Sequence, residues 1–166
     1  MALLRLMLVA LAACGQAGAQ PSATSGLTAP VGWIAIPEIA TAVAAAAKGE
    51  GTTVDGAEAW GDPARGCYGV WLAVHGDGAS AEHVLAGLAT QPITTTNVVK
   101  PETGDGVVAM SFETTAAPGG GARGTYRGRL RARLTAGQIK ALACFANERE
   151  PVACESACTA LLGGLP

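Results

Sequence analysis

Four cysteines, Cys67, Cys144, Cys154 and Cys158, restrict the folds open to this chain more than any other feature, provided they lie in an oxidising compartment. The N-terminus bears on that. One cation, Arg5, precedes the apolar run LMLVAL at residues 6–11. A charged start followed by a short apolar segment is the pattern of an export leader. Two cleavage points fit. Leu11-Ala12-Ala13-Cys14 resembles the lipobox of bacterial lipoproteins, in which the cysteine after the cut carries the lipid. Ala17-Gly18-Ala19 fits ordinary secretory cleavage, which would release a chain beginning at Gln20. The expectation is a leader over residues 1–13, or 1–19 in the second case.

Residues 15–31 hold Gly, Ala, Ser, Thr, Pro and a few other uncharged residues, so 14–31 reads as a flexible tether and 32–166 as one domain. By the sorting pattern of such lipoproteins, Gly15 after the lipidated Cys14 points to the outer membrane. Failing lipidation, the product would be periplasmic or secreted. The several acyl chains of a lipoprotein cysteine hold a membrane firmly where a single chain does not.

Cys14 is removed from the thiol count either by lipidation or by cleavage. The remaining four form an even set, read as two disulfides with three possible pairings. Cys154 and Cys158 are four apart in a segment with helical character, so they share a face. A bond between them suits helix geometry poorly. Each is therefore expected to reach a strand, and Cys67 and Cys144 are the strand cysteines; which joins which is left open. Zinc is the rival use of four cysteines, but no Cys-x-x-Cys knuckle occurs, and a thioredoxin-like redox role needs the same absent motif. No metal or cofactor is called for.

Hydrophobic residues make up 49% of the 166, enough for a core, while 14% are charged and 4% aromatic. A formal charge of −2 gives no sign of a nucleic-acid partner. Along the chain, residues 37–48 read as a helix opened by Pro37 and Glu38 and closed by Gly49. Residues 52–60 and 67–74 read as a hairpin, and 79–90 as a second helix capped by Ser80. Residues 93–100 and 107–115 follow as strands, the latter with Val108, Met110 and Phe112 on one side. A glycine-rich loop at 117–122 precedes strands 124–134 and 138–145, which are joined by the turn Thr135-Ala136-Gly137. A helix at 151–162 closes the chain. The expected class is α+β, an antiparallel sheet covered by helices.

The run AEAWGDPARGCYGVWLAVHGDGASAEHVLAGLA, together with YRGRLRARLTAGQIKALACFAN and the closing helix, resembles PsbP-like domains, including periplasmic lipoproteins of the DcrB type. The likeness spans roughly residues 54–162 and is one of element order. It implies an α/β/α sandwich serving as a binding or assembly module without catalysis. The alanine-rich helix before the first hairpin and the cysteines depart from that family.

Arg123, Arg127, Arg129, Arg131 and Arg133 are five of the eleven Lys and Arg residues. In a single strand they would share one face while Gly128, Leu130, Ala132 and Leu134 face the core. A row of guanidinium forks suits phosphates and carboxylates. At a bacterial envelope that means lipid head groups, lipopolysaccharide phosphates or an acidic partner protein. The plainer alternative is a solvated strand face paired with Glu113 and nearby acids.

His75 and Asp77 flank a strand-to-helix turn through Gly78, with His83 beyond. They are the residues a small secreted hydrolase would use, although no Gly-x-Ser-x-Gly elbow accompanies them; otherwise the segment is a structural turn. Glu148 and Glu150 could form a carboxylate pair, but fit better as charges at a helix N-terminus. Gly119-Gly120-Gly121 lacks the Lys-Ser/Thr of a phosphate loop. The favoured function is a non-catalytic, lipid-anchored envelope protein that binds another envelope component; the alternative is the hydrolase.

Overall fold

The computed structural model describes residues 24–48, 52–77, 80, 93–102, 105–118, 123–147 and 151–165. The leader with Cys14, nearly all of the expected helix at 79–90 with His83, the glycine run 119–121, and Glu148 and Glu150 lie outside them.

Seven strands form one antiparallel sheet. They are β1 (Ile34–Ala35), β2 (Thr53–Asp62), β3 (Cys67–His75), β4 (Ile93–Val99), β5 (Gly106–Ala116), β6 (Gly124–Thr135) and β7 (Gln138–Asn147), in the spatial order β1-β2-β3-β7-β6-β5-β4. The described helices are α1 (Pro37–Ala47) and α2 (Pro151–Gly163). The expected α+β class, a sheet covered by helices in the manner of an α/β/α sandwich, is therefore corrected: strand dominates, and the two described helices are short. The cause is visible in the strands. β5, β6 and β7 run for 11, 12 and 10 residues and pair along nearly their whole lengths, so the sheet itself is the main structure. No described helix is long and apolar enough to cross a membrane.

Local chemistry explains the elements. α1 starts at Pro37, whose missing N–H costs nothing in the first turn, and Glu38 faces the positive helix end. Its buried residues Ile39, Val43 and Ala47 recur every four positions and make one apolar stripe. The β6–β7 hairpin closes on Ala136 and Gly137, both at positive φ (46° and 76°), with Thr135 paired to Gln138. That is the geometry of a two-residue turn matched to strand twist.

β3 and β7 occupy the middle of the sheet and are buried on both faces over most of their length. On the first face, Val70, Leu72, Ile139, Ala143, Leu130 and Met110 join α1 in the main core. Phe145 anchors its aromatic part, stacked on Tyr68 at 5.5 Å and edge-on to Tyr126 at 5.9 Å. Burial there pushes the Tyr68 hydroxyl above its ordinary pKa, with Tyr126 and Asp62 adding to the shift, so the phenol stays neutral. The second face is smaller. Trp60, Trp71, Leu142 and the cysteines pack under Leu161, Leu162 and Leu165 at the end of the chain.

Two disulfides hold that second layer. Cys67 bonds Cys154 and Cys144 bonds Cys158, with Cα separations of 5.7 and 5.4 Å. Each helix cysteine reaches a strand cysteine, and both bridges fasten α2 to the central strands. Packing also begins earlier than residue 32. The Ser25 amide donates to Glu58 Oε1 at 2.9 Å and its hydroxyl to Oε2, while Leu27 and Ala29 rest against the second-face cluster.

The bridges close loops of different length, 87 and 14 residues. Chain-entropy reasoning gives the first about 4.5 kcal/mol and the second about 3 kcal/mol. Denaturant titration should therefore show Cys67→Ala/Cys154→Ala to be less stable than Cys144→Ala/Cys158→Ala; the reverse order would mean that local strain or residual unfolded structure outweighs loop closure. A second site is equally sharp. A Cβ on Gly128 would meet the Cys144 carbonyl at 2.5 Å and the Phe112 ring at 2.7 Å. Gly128→Ala should cost about 1–3 kcal/mol or more by overpacking, read as a lower denaturation midpoint.

Candidate functional site

The odd-numbered positions of β6 all face the α2 side of the sheet. Arg127, Arg129 and Arg133 are exposed and Arg131 is half-buried, while Tyr126, Leu130, Ala132 and Leu134 are buried beneath. The expected two-faced strand is present. Arg123 lies one residue before the strand, so four arginines, not five, share the ladder.

Their partners divide them. Arg127 Nε donates to Glu113 Oε2 at 2.7 Å across β5–β6, an exposed pair of the kind worth about 0–1 kcal/mol. Arg129 Nη2 donates to Thr159 Oγ1 at 2.9 Å. Arg131 Nη1 donates to the Leu162 carbonyl at 3.3 Å, in the last turn of α2, where a cation also answers the negative helix end. Two of the arginines thus help seat α2. Arg133 stands directly opposite Lys140 on β7.

α2 lies over β7 and the edge of β6, so the rest of this face, on β5 and β4, is left uncovered by it. An open groove of about 390 Å³ runs there, bounded by the helix and by Thr94, Thr96, Ser111, Glu113, Arg127 and Arg129. Its lining mixes hydroxyls, guanidinium groups and carboxylates with a larger apolar part that includes Phe112, Phe145 and Ala146, and the cysteines of α2 lie along one wall. Such a surface can hydrogen-bond an anion or a polar chain.

The histidine site is rearranged relative to the sequence reading. His75 Nδ1 lies 2.6 Å from Asp55 Oδ1, and Gln138 Nε2 donates to Asp55 Oδ2 at 3.3 Å. His75 finds its carboxylate across the β2–β3 hairpin, at the bulge between Val54 and Gly56, and not two residues on at Asp77. Among the described residues no three of His, Cys, Asp and Glu gather as metal ligands.

Sequence reasoning missed Asp55, Gln138, Thr135 and Lys140. A signal for the last three existed. A two-residue turn at Ala136-Gly137 fixes the register, and that register sets Thr135 against Gln138 and Arg133 against Lys140. Asp55 had no such signal, because a bulge breaks the alternation that would place it.

Removing structural and non-structural arginines should separate in stability. Arg131→Gln is expected to cost about 1 kcal/mol by uncapping α2. Arg133→Gln should stay within about 0.5 kcal/mol of the parent in the same denaturant titration. Comparison with known protein families finds none that matches the chain, and comparison with curated proteins finds no match either.

Proposed function

We propose that this protein is an exported, lipid-anchored component of a bacterial cell envelope that binds an anionic envelope constituent through its arginine face, without catalysis. The observation that carries the reading is the exposed row on β6, flanked by a hydroxyl-lined groove and fixed in place by a helix with two disulfides. The disulfides agree with an oxidising compartment, and the Leu11–Cys14 pattern supplies the anchor.

Geometry supports a membrane-near role for that face. Ser25 follows Cys14 by 11 positions, a reach of at most about 40 Å when extended. Ser25 is fixed to Glu58, which pairs with Trp71 and so lies on the α2 side of the sheet. A lipid at Cys14 would keep Ser25 within that distance of the membrane, with β6 three strands away from β2 in the same sheet.

Two measurements test the proposal. Intact mass of the mature protein from membranes should show a chain beginning at Cys14, carrying a diacylglyceryl and an acyl group and no free thiol. A chain beginning at Gln20 would remove the anchor. The Cys14→Ser protein, which cannot be lipidated, should still sediment with vesicles containing phosphatidylglycerol and lose that binding between about 50 and 200 mM salt, as expected for a contact between partly exposed charges. Absence of salt-sensitive binding would sink the anionic-partner reading.

A further inference from the structure

At the turn end of the arginine face, a second groove of about 210 Å³ is lined by Arg133, Thr135, Gln138 and Lys140. We propose that this groove seats a phosphate group, and that it, not the middle of the arginine row, is where the anion is held. The inference rests on the anion-binding reading of this face and locates its ligand.

Arg133 and Lys140 are direct cross-strand partners. Side chains so paired leave the same face with Cβ atoms about 5 Å apart, and like charges there repel. Such a pair is unfavourable unless something negative sits between its ends. Among the described residues no carboxylate lines the groove. Two of the described acids at this end of the sheet are engaged elsewhere: Asp55 takes His75 and Gln138, and Asp105 takes the Ala136 amide at 2.8 Å. The other arginines of the strand are also committed, Arg127 to Glu113, Arg129 to Thr159 and Arg131 to the Leu162 carbonyl.

The donor set suits a phosphate. Arg133 offers a planar fork, Lys140 a compact ammonium, and Thr135 a hydroxyl, with Gln138 beside them steadied by Asp55. Their spacing is fixed because a two-residue turn joins the strands immediately beyond Thr135 and Gln138, and that turn is pinned through Asp105. A carboxylate fills fewer of these donors than a phosphate does, so phosphate is the better match. The same group could belong to a lipid headgroup or to a soluble phosphate.

The test uses the Cys14→Ser protein in three versions: otherwise unchanged, with Arg133→Gln/Lys140→Gln, and with Arg127→Gln. Inorganic phosphate and glycerol 3-phosphate binding is read by calorimetry, and binding to phosphatidylglycerol vesicles by sedimentation. Far-ultraviolet circular dichroism confirms that each version is folded. The expected result is at least a tenfold weakening of phosphate-group binding in the double variant and less than a twofold change in Arg127→Gln. If vesicles bind all three versions equally, the face reading survives and this seat is wrong. If soluble phosphate binds and is lost only in the double variant while vesicles do not bind, the seat is right and the membrane-surface reading falls. Equal losses in both variants, or no binding of either ligand by the otherwise unchanged protein, overturn the seat.

Discussion

β3 and β7 are buried on both faces, and that two-sided burial sets the conditions for everything around them. A strand with apolar side chains pointing both ways needs cover on both sides, and this chain has little bulk to supply it. Aromatic residues are 4% of the sequence, and α1 offers alanines at most of its positions. On the second face the cover is α2 with Leu161 and Leu162, joined by Leu165 and by Leu27, Ala29 and Trp33. Trp71, 2% exposed, has its indole N–H without an acceptor among the described residues. An unmet buried donor costs about 1–3 kcal/mol. The two disulfides, each worth several kcal/mol on loop-closure grounds, offset this and hold the helix to the central strands.

Fixing α2 over β7 has a consequence for the rest of that face. The helix is one layer wide, so among the described residues the sheet beyond β6 has no helix above it on that side. Its side chains there are polar: Thr94, Thr96, Ser111 and Glu113 on β4 and β5, arginines on β6. The arginines stand on the border. Arg129 and Arg131 turn toward the helix and bond it, Arg127 turns outward to Glu113, and Arg133 lies past the helix end. One strand therefore serves both as the seam of the second layer and as the charged rim of the open surface.

How far the sequence reveals this depends on the signal each feature leaves. Alternation marks β6 and β5 plainly, and the four-residue spacing of Cys154 and Cys158 points both at strands, so the bridges from helix to sheet are legible. The fold class was not. The helices expected at 37–48 and 151–162 are present, but local signals do not tell how little of a seven-stranded sheet two short helices cover. The start of the ordered domain was also hidden. Ser25, Leu27 and Ala29 lie in a stretch with the composition of a linker, and only Glu58, 33 residues later, gives Ser25 a reason to be fixed. Asp55 escaped notice for a third reason: it sits in a bulge, where period-two reasoning fails.

The near-neutral formal charge of −2 conceals a separation of charge across the second face. Three of its acids, Asp55, Glu58 and Asp62, lie on β2, while its cations lie on β6 and β7 with Glu113 of β5 beside Arg127. The acids are answered at close range: Asp55 by His75 and Gln138, Glu58 by Ser25, Asp62 by Arg65. Across the sheet, Arg133 and Lys140 face each other with no such answer among the described residues. Asp55 comes nearest to them, through its hydrogen bond to Gln138, and it is held by His75. An anion approaching the turn end of β6 and β7 therefore meets a local positive field that the net charge does not announce. Nor, among the described residues, is there an ion pair at Arg133 and Lys140 for it to displace. That absence of a competing partner makes this end of the face a better place for an anion than the centre of the row, where the Glu113 carboxylate already holds Arg127.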